Sequence, residues 1–374
     1  MNINKSQNIF QHKNLFTIGV EEEYMLCHPK TGELINKADE IIHHLDGAFK
    51  PRYSYELILS EIEINTSICN SVDEAIREIS ALRKNTKMMG DKLGFQIGIS
   101  GTHPTALCKD QSFVQNESYN WVAKQLNYYA RRNITFAMHV HIAVKDENYA
   151  IAISNALRQW IAPLLALSTN SPFFEGEKTG MRSTRTMQFG VFPRTNIPVR
   201  FNDFKEYKAL IDNYISSDTI VKPRQIWWKI RPHLDFGTIE FRICDVQRSF
   251  NNVEMLIAIC QALVYQSSKD LDNECLNESF NMEYLNDGLW KAARFPFTAK
   301  MIDPEKNTVC TLGQQIIKMK NYINDALIYF GNQHINNNIK SILKNGTEAD
   351  EQLQVYNDSG LEKLKKYLIK SVEY

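Results

Sequence analysis

Residues 136–144 constrain the fold more than any other segment. Phe136, Met138, Val140, Ile142 and Val144 alternate with Ala137, His139, His141 and Ala143. Successive side chains of a β-strand point to opposite faces, so one face of this strand is wholly apolar and belongs to a core. The other face presents two imidazoles roughly 7 Å apart, with small alanines leaving room beside the rings. Solvated strand faces usually carry Thr, Lys or Glu, so paired histidines point to a site rather than to a wet surface.

Two more segments divide in the same way. In Thr238–Cys244, Ile239, Phe241 and Ile243 face the core, while Thr238, Glu240, Arg242 and Cys244 face away. In Gly19–Leu26, Glu21 and Glu23 share a face with Gly19 and Met25. Glu22 falls with Val20, Tyr24 and Leu26, where a carboxylate needs a partner or an exit to solvent. The plain alternatives are a surface Glu240–Arg242 pair, worth under about 1 kcal/mol, and a solvated acidic patch. Three acids in a row disfavour a strand, and a bound cation would relieve the repulsion between Glu21 and Glu23. Three such strands in one sheet favour a metal-binding face. Tyr55–Thr66 adds Glu56, Glu61 and Glu63. With Ile58, Ile62 and Ile64 on the apolar side, strict alternation pairs Glu61 with Glu63. Glu56 has the opposite parity unless a bulge or the strand start intervenes.

Carboxylates with one imidazole suit Mg²⁺ or Mn²⁺ better than structural zinc, and Mg²⁺ commonly holds substrate phosphates. There is no GxxxxGK[ST] and no GxGxxG, so a nucleotide would be bound by metals and arginines across an open sheet. The arginines at 182, 185, 194 and 200, with Arg231 and Arg242, are candidate clamps for phosphate or carboxylate. Each loop arginine taken singly is equally well explained as a surface charge.

Composition narrows the classes. Lys+Arg and Asp+Glu both number 43 among 374 residues, so no global charge points to nucleic acid or to an anionic membrane. Cys27, Cys69, Cys108, Cys244, Cys260, Cys275 and Cys310 are scattered and include no CxxC. That argues against a disulfide framework or a thiolate zinc site and for a reducing cytoplasm. Met1–Asn14 is polar with no apolar run of the signal-peptide kind. The most apolar stretches, near 161–167 and 255–260, are too short to cross a bilayer.

Helices are expected over Ser71–Leu93 (capped by Ser71 and Glu74), from about Asn148 to Leu167, and over Phe204–Ile215, Asn252–Lys269, Met282–Ala293 and Leu312–Tyr329. Two Lys-rich helices close the chain near 338–344 and 360–372. Gly94–Ser100 and Ile226–Ile230 read as short strands, the latter forming a hairpin with Thr238–Cys244 through Asp235-Phe236-Gly237. Asn170–Arg200 shows no period, but its aromatic residues argue against disorder. The class is α+β: a mainly antiparallel sheet with helices on one face, in one catalytic domain over 1–374. The motifs lie in 14–295, and 296–374 is helical.

Taken in order, Phe16-Thr-Ile-Gly-Val-Glu-Glu-Glu-Tyr, Glu56…Ser60…Glu63, Gly101-Thr-His-Pro, His139-Val-His141, Asn170-Ser-Pro-Phe, Thr179-Gly180…Arg185 and Arg231-Pro…Phe236-Gly-Thr-Ile-Glu-Phe-Arg242 resemble the carboxylate–amine ligase family, the type 2 glutamate–cysteine ligase group. The resemblance runs from about residue 14 to about 295. It implies a glutamine synthetase-like catalytic domain, a curved sheet holding metal and ATP. It implies Glu21, Glu23, Glu56, Glu63, His139 and Glu240 as ligands of two or three Mg²⁺ or Mn²⁺ ions, preferring Glu56 to Glu61 and so requiring an irregularity between 56 and 63. It implies Arg242 and Glu240 as catalytic residues, and Arg185, Arg231, His141 and Arg294 as contacts to substrate or ATP. The expected reaction joins L-glutamate to L-cysteine through an acyl phosphate. The partners are small molecules, ATP and amino acids, with a homodimer left open.

The chain departs from the family's pattern in two places. Ala137 stands where glycine is common, and no glycine follows Arg294 at the usual spacing, which bears on the amine pocket. The same mechanism with another amine or carboxylate is the near alternative. More distant are a non-ligase metalloenzyme, since His139-Val-His141…Asp146 faintly echoes cupin spacing, and a nucleotide-binding protein without turnover.

Overall fold

In a computed structural model, which describes residues 14–45 and 47–374, one sheet organises the molecule; the polar N-terminal stretch lies outside the described residues. Its strands are β1 (Ile18–Cys27), β2 (Tyr53–Ser54), β3 (Glu61–Asn65), β4 (Gln96–Gly98), β5 (Met138–Ala143), β8 (Ile230–His233) and β9 (Thr238–Phe241). Between β5 and β8 in sequence, β6 (Phe173–Phe174) and β7 (Glu177–Lys178) make a separate small hairpin. The sheet order is β2-β3-β1-β5-β9-β8, with β4 also on β1, and every pairing is antiparallel.

Alternation works as expected. Val20, Tyr24, Ile62, Ile64, Met138, Val140, Ile142, Ile239 and Phe241 are all buried on one side. Helices Val72–Leu93 and Phe250–Asp272 pack there. The same core takes in residues from Ile18 to Val372, including the C-terminal helices. Glu22 finds its partner in this core. Arg83, from helix 72–93, donates to both Glu22 oxygens (2.8 and 2.9 Å from Nη2) and to the carbonyls of Gln247, Arg248 and Glu373. Tyr24 adds its hydroxyl to the same carboxylate.

Several segments differ from expectation. Residues 55–60 leave the strand: β2 and β3 are a hairpin, pairing Tyr53 with Ile64 and Ser54 with Glu63. The strand expected at 226–230 lies at 230–233. Ile226 and Trp228 instead join a small second core with Phe201, Tyr207 and Ile211. Pro232 is tolerated because β8 is a sheet edge, where its missing N–H breaks no ladder. Glu74 does not close a capping box, since its carboxylate takes the Asn70 N–H instead. The final helix begins at Glu348, with a break at left-handed Gly360 (φ 75°). β10 (Lys300–Ile302) and β11 (Val309–Thr311) were not expected. Helices 147–157 and 161–168 join through a single turn into 22 residues, long and apolar enough to cross a bilayer, but 89% of its apolar 18-residue stretch is buried inside the protein.

Candidate active site

The face opposite the helices lines a cleft of about 810 Å³. Register explains how residues distant in sequence meet there. Glu21 lies opposite His139, Glu23 opposite Glu63, His141 opposite Glu240, and Glu240 opposite Arg231. Each pair occupies the same face of adjacent strands, so the cleft floor is a grid of carboxylates, imidazoles and guanidiniums.

The acidic half centres on β1 and β3. His139 Nδ1 meets Glu21 Oε2 at 2.9 Å, and its buried Nε2 has no hydrogen-bond partner among the described residues. Burial and the Arg242 charge hold this imidazole below its usual pKa. A neutral ring donating Nδ1–H to Glu21 leaves Nε2 as an open lone pair, as metal-bound histidines do. Burial opposes the charge on Glu21, but His141 and bonds from both imidazoles prevail and hold it well below the carboxylate range. His141 Nε2 lies 3.3 Å from Glu21 and 3.9 Å from Glu240; against the effect of burial, these carboxylates raise its pKa. Oxygen and nitrogen atoms converge closely enough for a cation in two groups, Glu21–His139–Glu240 and Glu23–Glu63–His139.

Glu56 and Glu61 both reach this cluster. Glu56 comes from the β2–β3 connection and Glu61 from the start of β3, so parity along one strand does not decide between them. Burial together with neighbouring carboxylates pushes Glu56, Glu61 and Glu63 well above the usual range. Crowded, buried, uncompensated carboxylates with open imidazole nitrogen fit divalent cations with hard oxygen preference.

The basic half lies on β8 and β9. Glu240, 1% exposed, accepts from Arg231 Nε at 2.7 Å and from Arg242 Nη1. Burial would raise its pKa, but the two guanidiniums and His141 hold it well below the ordinary value. Arg185 comes from the 170–200 segment, which is strapped to the sheet end. Asp245 receives the Asn170 N–H and the hydroxyls of Ser171 and Ser183. Gly101 makes room for it, because a Cβ there would lie 2.7 Å from Asp245 Cγ. Arg185 then donates to the carbonyls of Arg242 and Ile243. At the cleft rim the His233 and Phe236 rings stack 4.3 Å apart, and burial pushes His233 down to about 3.

Of the expected residues, Glu21, Glu23, Glu56, Glu63, His139, Glu240, Arg185, Arg231 and Arg242 line the cleft. His141 sits just beneath, against Phe236 and His233. Arg294 is not brought in: it ends helix Met282–Arg294, beside Gly180 and over the Phe295 ring. Asp245 is a part that sequence reading misses, whereas Glu61, which strand alternation pairs with Glu63 and the resemblance sets aside for Glu56, lies within reach of the Glu23 and Glu63 charges. Asp245 gave no periodic signal, because its role depends on a loop folding back onto it.

A sheet face divided between acids and guanidiniums, on this α+β scaffold, belongs to an ATP-dependent carboxylate–amine ligase. The family model for glutamate–cysteine ligase family 2 matches residues 17–367, and the chain belongs to that family. A Solibacter usitatus protein, provisionally named glutamate–cysteine ligase 2, is 33% identical over 96% of this chain and 94% of its own length. One of the same provisional name from Herpetosiphon aurantiacus is 32% identical over 92% and 90%. Among solved structures, glutamate–cysteine ligase from Francisella tularensis in complex with AMP superposes with TM-score 0.73 at 12% identity, covering 96% of this chain and 88% of that one. The ligase PafA, in complex with the ubiquitin-like protein Pup, gives 0.52 at 9% identity, covering 95% and 72%. At such identities these two show the fold.

Proposed function

We propose that the chain joins L-glutamate to L-cysteine, consuming ATP and forming γ-glutamylcysteine, ADP and phosphate. The observation that supports this best is the division of the cleft floor, with metal-capable acids beside guanidiniums, which matches the needs of a triphosphate and an acyl phosphate. Glu21, Glu23, Glu56, Glu63, His139 and Glu240 would hold two or three Mg²⁺ or Mn²⁺ ions. Such ions, when bound, neutralise triphosphate oxygens and align the transfer. The glutamate γ-carboxylate attacks the γ-phosphorus and the bond to ADP breaks. The amine then attacks the acyl carbon, loses a proton and expels phosphate. Arg242, fixed by Glu240, steadies charge on the phosphoryl group in flight. Arg185 and Arg231 hold substrate oxyanions, with His141 buttressing Glu21 and Glu240. The whole chain serves as one catalytic domain in a reducing cytoplasm, where its cysteines stay free.

The test is ADP release with Mg²⁺, ATP and glutamate, against a panel of amines, with products weighed by mass spectrometry. Cysteine-dependent ADP and a γ-glutamylcysteine mass are expected. ADP release with a different amine alone would replace cysteine, and no ADP with any acid–amine pair would overturn the reaction.

Metal removal has its own signature. Glu56, Glu61 and Glu63 have folded pKa values raised above their unfolded ones. Their contribution to stability is therefore full below the unfolded value and is lost as pH rises through the raised one. Glu21 and Glu240, held low, stay ionised throughout that range. In EDTA the melting temperature should fall as pH rises out of the ordinary carboxylate range, while these three groups are forced to ionise. Magnesium at about 100 times its dissociation constant should restore about 2.7 kcal/mol. A melting temperature indifferent to EDTA at the higher pH would count against a cation site.

A further inference from the structure

One residue on the basic half has no assigned work. Lys229 precedes β8 and lies opposite Arg242, whose backbone N–H donates to the Lys229 carbonyl at 3.0 Å. By strand parity Lys229 shares the face of Arg231, so two cations stand opposite each other on the cleft side. Like charges so placed destabilise a sheet. Arg185 adds a third, bonded to the carbonyls of Arg242 and Ile243.

These cations are short of anions. Glu240 is shared by Arg231 and Arg242. Asp245, 3.7 Å from Arg185 Nη1, is already engaged by Asn170, Ser171 and Ser183. Lys229 is 3% exposed and, among the described residues, its Nζ has no hydrogen-bond partner; Arg185 Nε and Arg242 Nε are likewise buried and unpartnered there. The Lys229 Nζ lies 5.4 Å from the centre of the Phe189 ring, which lines the cleft. A bare buried ammonium is costly, and burial with the two guanidiniums pushes this amine down to about 7.

We propose that Lys229, together with the Nε–H groups of Arg185 and Arg242, forms a subsite behind Phe189 for one oxyanion of the reactants, a phosphoryl or carboxylate group. Only the choice of reactant rests on the ligase reading; the anion site itself rests on the orphaned donors. An arriving oxyanion supplies the missing charge and accepts from all three nitrogens. Without it, Lys229 is a source of repulsion, so its removal should stabilise the empty protein.

The experiment uses the full chain as wild type, Lys229→Met and Lys229→Arg, with Lys229→Gln should the Met variant aggregate. Inorganic phosphate and L-glutamate are titrated separately by calorimetry at fixed ionic strength, and melting is followed with and without each. The Met variant should melt above wild type in chloride and bind one of the two anions at least tenfold more weakly, with Arg restoring most of the loss. Loss for phosphate assigns the subsite to a phosphoryl group, and loss for glutamate to a carboxylate. Unchanged affinity for both, no measurable binding of either by wild type, or a Met variant that only melts lower would overturn it. Lys229-dependent anion binding without ADP release from any acid–amine pair would leave the subsite standing and remove the ligase reading.

Discussion

Glu240→Gln should lower ADP release by about 10³-fold or more, with the chain still folded. Glu240 does three jobs with two oxygens. It fixes Arg231 and Arg242 in the cleft floor, and it stands within ligand range of Glu21 and His139. A carboxamide keeps the shape but has one acceptor instead of two, offers N–H where a guanidinium already donates, and carries no charge for a cation. Two buried guanidiniums would then face each other across the hairpin without their shared anion. The loss should appear mainly in turnover, because the proposed mechanism sets Arg242 where phosphoryl charge develops. Steady-state ADP release with circular dichroism as the folding control checks it, and a Gln variant within tenfold of wild type would sink the assignment.

Arg83→Leu should destabilise the fold by about 3–5 kcal/mol, the usual result of stripping one partner from a buried ion pair. Glu22 and Arg83 are both fully buried, 2.8 Å apart. Without the guanidinium, Glu22 keeps, among the described residues, only the Tyr24 hydroxyl, and the carbonyls of Gln247, Arg248 and Glu373 lose a shared donor. Adding Glu22→Leu to Arg83→Leu should recover part of the loss, because an apolar pair removes the orphaned charge. Urea unfolding of the two single variants and the double variant at neutral pH measures this. A single-variant loss below about 1 kcal/mol would mean that water reaches Glu22, contrary to its burial.

The sheet was legible because its strands alternate cleanly. Val140 against His139 and Phe241 against Glu240 place core and chemistry on opposite sides with no tertiary information. What stayed hidden depends on contacts between segments. Glu56 defeats parity because the chain turns between β2 and β3, so both Glu56 and Glu61 arrive in the cluster. Ile226 and Trp228 mimic a strand, but their apolarity serves a separate small core with Tyr207. The loop 170–200 has no period because Asp245 and the carbonyls at the end of β9, not a repeating face, order it. Arg294 shares a motif with the site yet ends a helix elsewhere. Lys229 carries no sequence signal of its own, because its meaning depends on its cross-strand neighbour Arg242.

The Arg83 tie also bears on synthesis. Glu22 is made early, its guanidinium partner some sixty residues later, and the carbonyls that complete the cage at 247, 248 and 373 later still. β1, which supplies Glu21 and Glu23 to the cleft, therefore cannot settle into its final surroundings until almost the whole sequence has emerged. On the ribosome this acidic strand of the cleft floor is among the first parts translated and among the last to become firm. A growing chain must keep an acidic, half-apolar strand from wrong pairings throughout that interval, a period in which chaperones have reason to hold it.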